Sequence, residues 1–379
     1  MQKTTTWNKA RNGIKILMTP GPVEVSPRVL SALAQPSIYH YYHGFVEFFD
    51  ETLGKMRQVF KAPSDLDVLL LQGEGVLGLE AAVKCSINPG EKVVVFENGP
   101  FGKWFGDYVK NCGGKPLYFH EETNRLIDDQ SAISFLEENR DAVAMTLVHC
   151  ETPAGLLNPP SAICRKAKSL GMLTIVDCVA SLGGAEFKPA EWGIDIAISA
   201  SQKCLSAPCG LAPITVSKFA WEIMEKRKKD PIRISYISLL DWKESWLSSK
   251  KFPFTPMTND VYALSASLDE ILEEGLENVL ARHERVARFC RKRVKEIGLK
   301  LWPIKEEYCS PTVTAIALPE SMDEAHIIEK IATKHEILIG GGYRELKGHV
   351  LRIGHMGYQA QQPFISATMD AIEDCVKNA

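Results

Sequence analysis

Short apolar, β-branched runs at 68–71, 92–96 and 142–148 each lead into longer stretches at 76–84, 102–111 and 161–170, where apolar residues recur at helical spacing. Further apolar runs follow at 173–176, 194–199 and 211–216. This alternation predicts βαβ units and a mainly parallel sheet wrapped by helices, with ligands bound outside the carboxyl ends of the strands. After residue 250 the texture changes. A Pro-punctuated segment at 251–256 leads into helices expected over 261–272 and 276–297, then into strands near 312–318 and 350–353 and a closing helix from about 362. The expected organisation is an N-terminal segment (1–20), a large α/β domain (21–260) and a smaller α+β domain (261–379). No internal repeat or low-complexity tract interrupts it.

Composition narrows the functional classes. With 379 residues, 45% of them hydrophobic, the chain is long enough for two cores, and a net charge of −3 leaves no basic field for nucleic acid. The ten cysteines form no CxxC pair, and Cys204 and Cys209 have no second ligand pair downstream, so we expect free thiols and no metal site. Residues 1–15 are polar and mixed in charge, and no later run approaches membrane-spanning length. A cytoplasmic protein without a membrane partner is expected.

The chemistry gathers at the ends of the apolar runs. Asp177 closes one run, and Lys203 follows another in a segment of small residues, 199–210. A lone lysine is usually a surface charge, and an acid at a strand end is often only a helix cap. Together they say more. An amine between apolar strands is poorly solvated as an ammonium, which lowers its pKa and suits it to condense with an aldehyde. A carboxylate at a neighbouring strand end is what a pyridine nitrogen needs to stay protonated and draw in electrons. The turn Leu71-Gln-Gly-Glu-Gly-Val-Leu-Gly-Leu-Glu80 is a cup for an anion at a helix N-terminus, and Glu97-Asn-Gly-Pro-Phe-Gly102 offers Phe101 as an aromatic plate.

These motifs, in this order, resemble the class V, fold-type I pyridoxal-phosphate aminotransferases, which include alanine–glyoxylate and serine–pyruvate enzymes. The resemblance runs from Met18-Thr-Pro-Gly-Pro22 through Val148-His-Cys-Glu-Thr-Pro-Ala-Gly155, Val176-Asp-Cys-Val-Ala-Ser-Leu-Gly-Gly184 and Ser201-Gln-Lys203 to Leu351-Arg-Ile-Gly-His-Met-Gly357. It implies that Lys203 is the Schiff-base lysine and proton carrier and that Asp177 pairs with the pyridine nitrogen. Val179 and Phe101 would sandwich the ring, Thr152 would lie near the ring hydroxyl, and Gln202 and Gly75 would belong to the cofactor site. Arg352 would clamp the substrate carboxylate, for which a planar guanidinium is suited. The resemblance also implies a homodimer or tetramer with shared active sites, where 252–256, including Phe252 and Thr255, completes the neighbour's site.

The departures from the family are informative. Where alanine–glyoxylate relatives carry a hydroxyl donor, a polar residue and a partner tyrosine around the phosphate, this chain has Glu74, Val76 and Phe252. A carboxylate about 4 Å from one phosphate charge costs roughly 4 kcal/mol at an effective dielectric of about 20. These changes resemble a branch of the family that treats unphosphorylated pyridoxamine as a substrate, with pyruvate as acceptor. Ile38-Tyr-His-Tyr41, with Tyr41 among the substrate contacts, and Leu240-Asp-Trp-Lys-Glu-Ser-Trp246 match that branch as well. Three positions depart from the branch in turn. Gln202 stands where the branch tends to asparagine, Gly75 where it has proline, and the loop 340–344 offers either Tyr343 or Arg344 for a second substrate contact. The alternative expectation is a conventional pyridoxal 5'-phosphate-dependent alanine or serine aminotransferase using glyoxylate or pyruvate.

Overall fold

The protein is described here by a computed structural model that covers residue 11 and residues 13–377, so most of the polar stretch 1–15 lies outside the described residues. Seven strands form the central sheet: β1 (Leu66–Gln72), β2 (Lys92–Glu97), β3 (Lys115–His120), β4 (Ala144–Val148), β5 (Leu173–Asp177), β6 (Ile196–Ile198) and β7 (Leu211–Ser217). Their spatial order is β1-β7-β6-β5-β4-β2-β3. The pairs from β6 to β3 are all parallel, and β7 alone runs against its neighbours. Every residue of β4, β5, β6 and β7 is buried, which is why these segments read as unbroken apolar runs.

β3 was not anticipated from the pattern. It is an edge strand whose residues are at most half-buried, so Lys115, Pro116 and His120 break the apolar signal. The helix His43–Phe60 was likewise not anticipated, although its Phe45, Phe49, Leu53, Met56 and Phe60 all enter the core. The helices after β1 and β2 are α1 (Gly75–Ser86) and α2 (Pro100–Asn111). α1 lies tight on the sheet because Gly78 carries no Cβ; one there would sit 2.6 Å from the Ile198 side chain.

Two long helices, α3 (Thr258–Glu274) and α4 (Leu276–Glu296), lead to a three-stranded antiparallel sheet of β8 (Lys300–Leu301), β9 (Val313–Ala317) and β10 (Val350–Gly354). Packing does not change at residue 261, the boundary expected from sequence. Val261, Leu264, Leu268 and Ile271 of α3 belong to the large core. The hand-over falls within α4, whose Val279 joins that core while Val286, Cys290 and Val294 join the second. The segment Ile16–Met18 pairs in parallel with Ile337–Ile339, so residues 16–18 are a strand of the smaller body. Among the described residues no helix is long and apolar enough to cross a membrane.

Candidate active site

Parallel strands bring their carboxyl ends to one edge of a sheet. Here that edge carries Gly73 and Glu74 after β1, the α2 turn after β2, residues 149–152 after β4, Asp177 at the end of β5, and Gln202 and Lys203 after β6. They enclose a cavity of about 370 Å³ lined by Glu74, Gly75, Val76, Phe101, Thr152, Asp177, Val179, Gln202, Lys203 and Tyr343. This is within the ordinary range for a small-molecule site. A second cavity adjoins it, lined by Phe101, Thr152, Lys203, Tyr343 and Arg352. The two share Lys203, so one amine faces both.

Lys203 is partly buried, and its Nζ donates to the carbonyl of Pro20 at 2.8 Å. Burial, then the charge of Arg352, hold its ammonium below the usual lysine range. Gly21 makes room for this side chain, since a Cβ there would lie within 2.7 Å of Lys203 Cε. Asp177 is buried, its Oδ1 accepting from the Val179 N–H at 2.7 Å. Burial pushes its carboxyl up to about 7 against the opposing pull of that N–H and of Lys203. An opposing cation such as a protonated ring nitrogen would offset that cost.

Gly75 opens the floor of the cavity. A Cβ there would stand 2.7 Å from Val179 Cγ2, so only glycine lets α1 begin against Val179. Glu74 is the N-cap residue of α1, but its side chain makes no capping hydrogen bond. Instead Oε2 accepts from Gln202 Nε2 at 3.1 Å, and the carboxylate lines the cavity. Arg352, on β10, donates through Nε to the Gly341 carbonyl at 2.5 Å, and burial is the largest influence lowering its pKa.

Not every expected residue reaches this place. Of the loop 340–344, Tyr343 lines both cavities and stacks on Phe101 with centroids 6.0 Å apart, whereas Arg344 lines neither and lies 5.5 Å over the Trp104 ring. Phe252 lines neither cavity of its own chain. Only 5% exposed, it packs on Trp246 and Phe49 at 4.8 and 5.0 Å, and burying an apolar ring there outweighs presenting it. Thr255 is exposed, and Tyr41, 54% exposed, meets the His40 ring at a tilt and the Tyr39 ring edge-on outside both cavities.

Glu151 was missed. Fully buried, it accepts from the Phe101 and Gly102 N–H groups at 3.1 and 3.0 Å, capping α2 from outside and so fixing the backbone that carries Phe101. An acid within the otherwise buried-type run 148–155 was the available signal. Burial raises its carboxyl from 4.5 to about 8. A carboxyl raised on folding binds more protons in the folded chain, so its stabilising effect is complete below the unfolded value and is lost as pH rises through the folded one. Without ligand, the melting temperature of the wild type relative to that of Glu151→Gln should therefore fall between pH 5 and pH 8. A difference between the two proteins that does not change with pH would remove Glu151 as a contributor.

The described part of the chain that carries this geometry matches the family described as Aminotransferase class-V over residues 28–356. The chain belongs to the class V aminotransferases. Among relatives of this aminotransferase, the pyridoxamine–pyruvate transaminase of Mesorhizobium japonicum is 34% identical over 357 residues, 94% of this chain and 90% of the relative. A crystal structure of pyridoxamine–pyruvate aminotransferase from Mesorhizobium loti superposes with a TM-score of 0.92 at 33% identity, covering 96% of this chain and 92% of that one. An alanine–glyoxylate aminotransferase from Nostoc sp. superposes with the same TM-score, 0.92, at 28% identity, covering 96% and 95%. Equal superposition means that the fold of this aminotransferase does not select the substrate. The side chains must.

Proposed function

We propose that this aminotransferase moves the amino group of pyridoxamine to pyruvate, giving pyridoxal and L-alanine. The observation that carries the reading is Glu74, a half-buried acid that lines the cavity and bonds Gln202 rather than capping α1. An acid there opposes a phosphate dianion and accepts a hydrogen bond from a hydroxymethyl group. Class V enzymes use pyridoxal phosphate, and the cavity residues fit a pyridine ring of this kind, with Gly75 leaving room beside Val179. The ring, when bound, supplies an electron sink.

The remaining chemistry falls to the chain. Asp177 would hold the proton on the ring nitrogen, and Phe101 and Val179 would sandwich the ring between them. Lys203 Nζ captures the aldehyde and carries a proton between the two carbons that exchange hydrogen, a role that needs the lowered pKa its burial provides. Arg352 takes the oxo-acid carboxylate in the adjoining cavity, so the pyridoxamine amine and the pyruvate carbonyl meet beside Lys203 and condense with loss of water; both substrates are bound before either product leaves, and the kinetics are sequential. We place two copies together in the working enzyme, with Tyr41 and Thr255 on the exposed surface available to a neighbour.

One observation favours a second reading, a pyridoxal-phosphate-dependent alanine or serine aminotransferase using glyoxylate or pyruvate: the α1 N-terminus at Gly75 and Val76 faces the same cavity and suits an anion. Absorbance of the purified protein with and without pyridoxal, with mass analysis of any released chromophore, separates the two. A colourless protein that turns yellow with pyridoxal and forms alanine from pyridoxamine and pyruvate is expected. A protein purified yellow, releasing pyridoxal phosphate and inert toward pyridoxamine, would overturn the proposal.

A further inference from the structure

Gln202 is only 6% exposed and lines the cavity beside Glu74. Its two amide atoms fare differently. Nε2 donates to Glu74 Oε2 at 3.1 Å, while Oε1 is buried and has no hydrogen-bond partner among the described residues. The amide cannot be turned over without cost, because the exchange would set its oxygen against a carboxylate oxygen, two acceptors facing one another. Glu74 therefore engages one N–H of Gln202 and, by fixing the orientation of the amide, leaves its acceptor unsatisfied. A buried acceptor without a donor is costly, and a ligand that brings one is favoured by the amount it relieves.

We propose that Gln202 is a specificity-determining residue that accepts a hydrogen bond from the hydroxyl on the ring substituent at the Glu74 end of the cavity. This rests on the reading of Glu74 given above and extends it. Glu74 opposes phosphate by charge, whereas Gln202 opposes it by hydrogen-bond type, since a phosphate dianion has no O–H to give. The residue keeps a side chain that could donate to a phosphate, but its bond to Glu74 fixes the amide in the orientation that leaves Oε1 in need of a donor. Removing Glu74 would free the amide to turn its N–H groups toward a phosphate.

Equilibrium spectral titrations with pyridoxal and with pyridoxal 5'-phosphate test this on the wild type, Gln202→Leu, Glu74→Ser and the double variant. Gln202→Leu is expected to weaken pyridoxal by about tenfold, the scale of one buried hydrogen bond, and to leave the phosphate ester within about twofold. Gln202→Met, similar in length and without a polar atom, should repeat that result and guards against misfolding of the leucine variant. Glu74→Ser should gain affinity for the phosphate ester, and at least about tenfold of that gain should vanish when Gln202 is also replaced. Unchanged pyridoxal affinity in both Gln202 variants, or an equal gain in the single and double Glu74 variants, would overturn the role of Gln202. A wild type that binds the phosphate ester more tightly than pyridoxal would overturn the underlying reading of Glu74, whichever way the Gln202 variants behave.

Discussion

Replacing Lys203 by alanine is expected to lower steady-state turnover of pyridoxamine and pyruvate by at least about a thousandfold, within the range lost with a positioned acid–base group. Neither Asp177 nor Arg352 can stand in. Asp177 is held by the Val179 N–H, and Arg352 does not release a proton near neutrality. The fold should survive the change. The ammonium has one hydrogen bond of its own among the described residues, to Pro20, and burying it in this site disfavours the charged form. A thermal melt within a few degrees of the wild type, together with lost turnover, is therefore the expected pair of results. A variant that turns over at close to the wild-type rate would exclude Lys203 as the proton carrier.

Glu74→Ser should shift ligand preference more than any other single change at the cavity. At about 4 Å and an effective dielectric of about 20, one carboxylate opposes one phosphate charge by roughly 4 kcal/mol. Its removal should raise affinity for pyridoxal 5'-phosphate by up to about a thousandfold. Pyridoxal should bind more weakly to the same variant, since its hydroxyl loses a charged acceptor worth about 1.5–3 kcal/mol. The crossing of the two affinities in one titration series is the signature. If the serine variant binds the phosphate ester no better, the charge at position 74 does not set the preference.

Much of this site was legible before any coordinates. Lys203 and Asp177 could be found because each is a charged group at the end of an apolar run, and parallel strands place such ends together. Glu74 was legible because its neighbours in sequence are glycines, which leave an acid conspicuous in a turn. Glu151 was not, because its carboxylate works inward on backbone N–H groups of a helix distant in sequence, and no local spacing records that partnership. Phe252 was no more legible. It was placed by resemblance at a neighbour's site, and its ring lies in a cluster with Phe49 and Trp246 whose members come from separate parts of the chain, which no local pattern records. The choice between Tyr343 and Arg344 also lay beyond the sequence. Arg344 adopts a positive φ of 52°, a backbone state that residue type does not announce, and the loop sends Arg344 to Trp104 while Tyr343 lines the cavity. The change of core within α4 was hidden because the helix keeps its apolar spacing across both bodies.

The contact between Lys203 Nζ and the Pro20 carbonyl bears on the order in which the protein assembles. Pro20 follows directly on the strand Ile16–Met18, and that strand has no partner until Ile337–Ile339 exists. The central sheet closes with β7, long before those residues emerge from the ribosome, so a nascent chain can build the floor of the site while the acceptor for its lysine is still loose. Joining strands so far apart along the chain is an entropically late event, and the Lys203 amine is thus latched only after Ile337–Ile339 have been made.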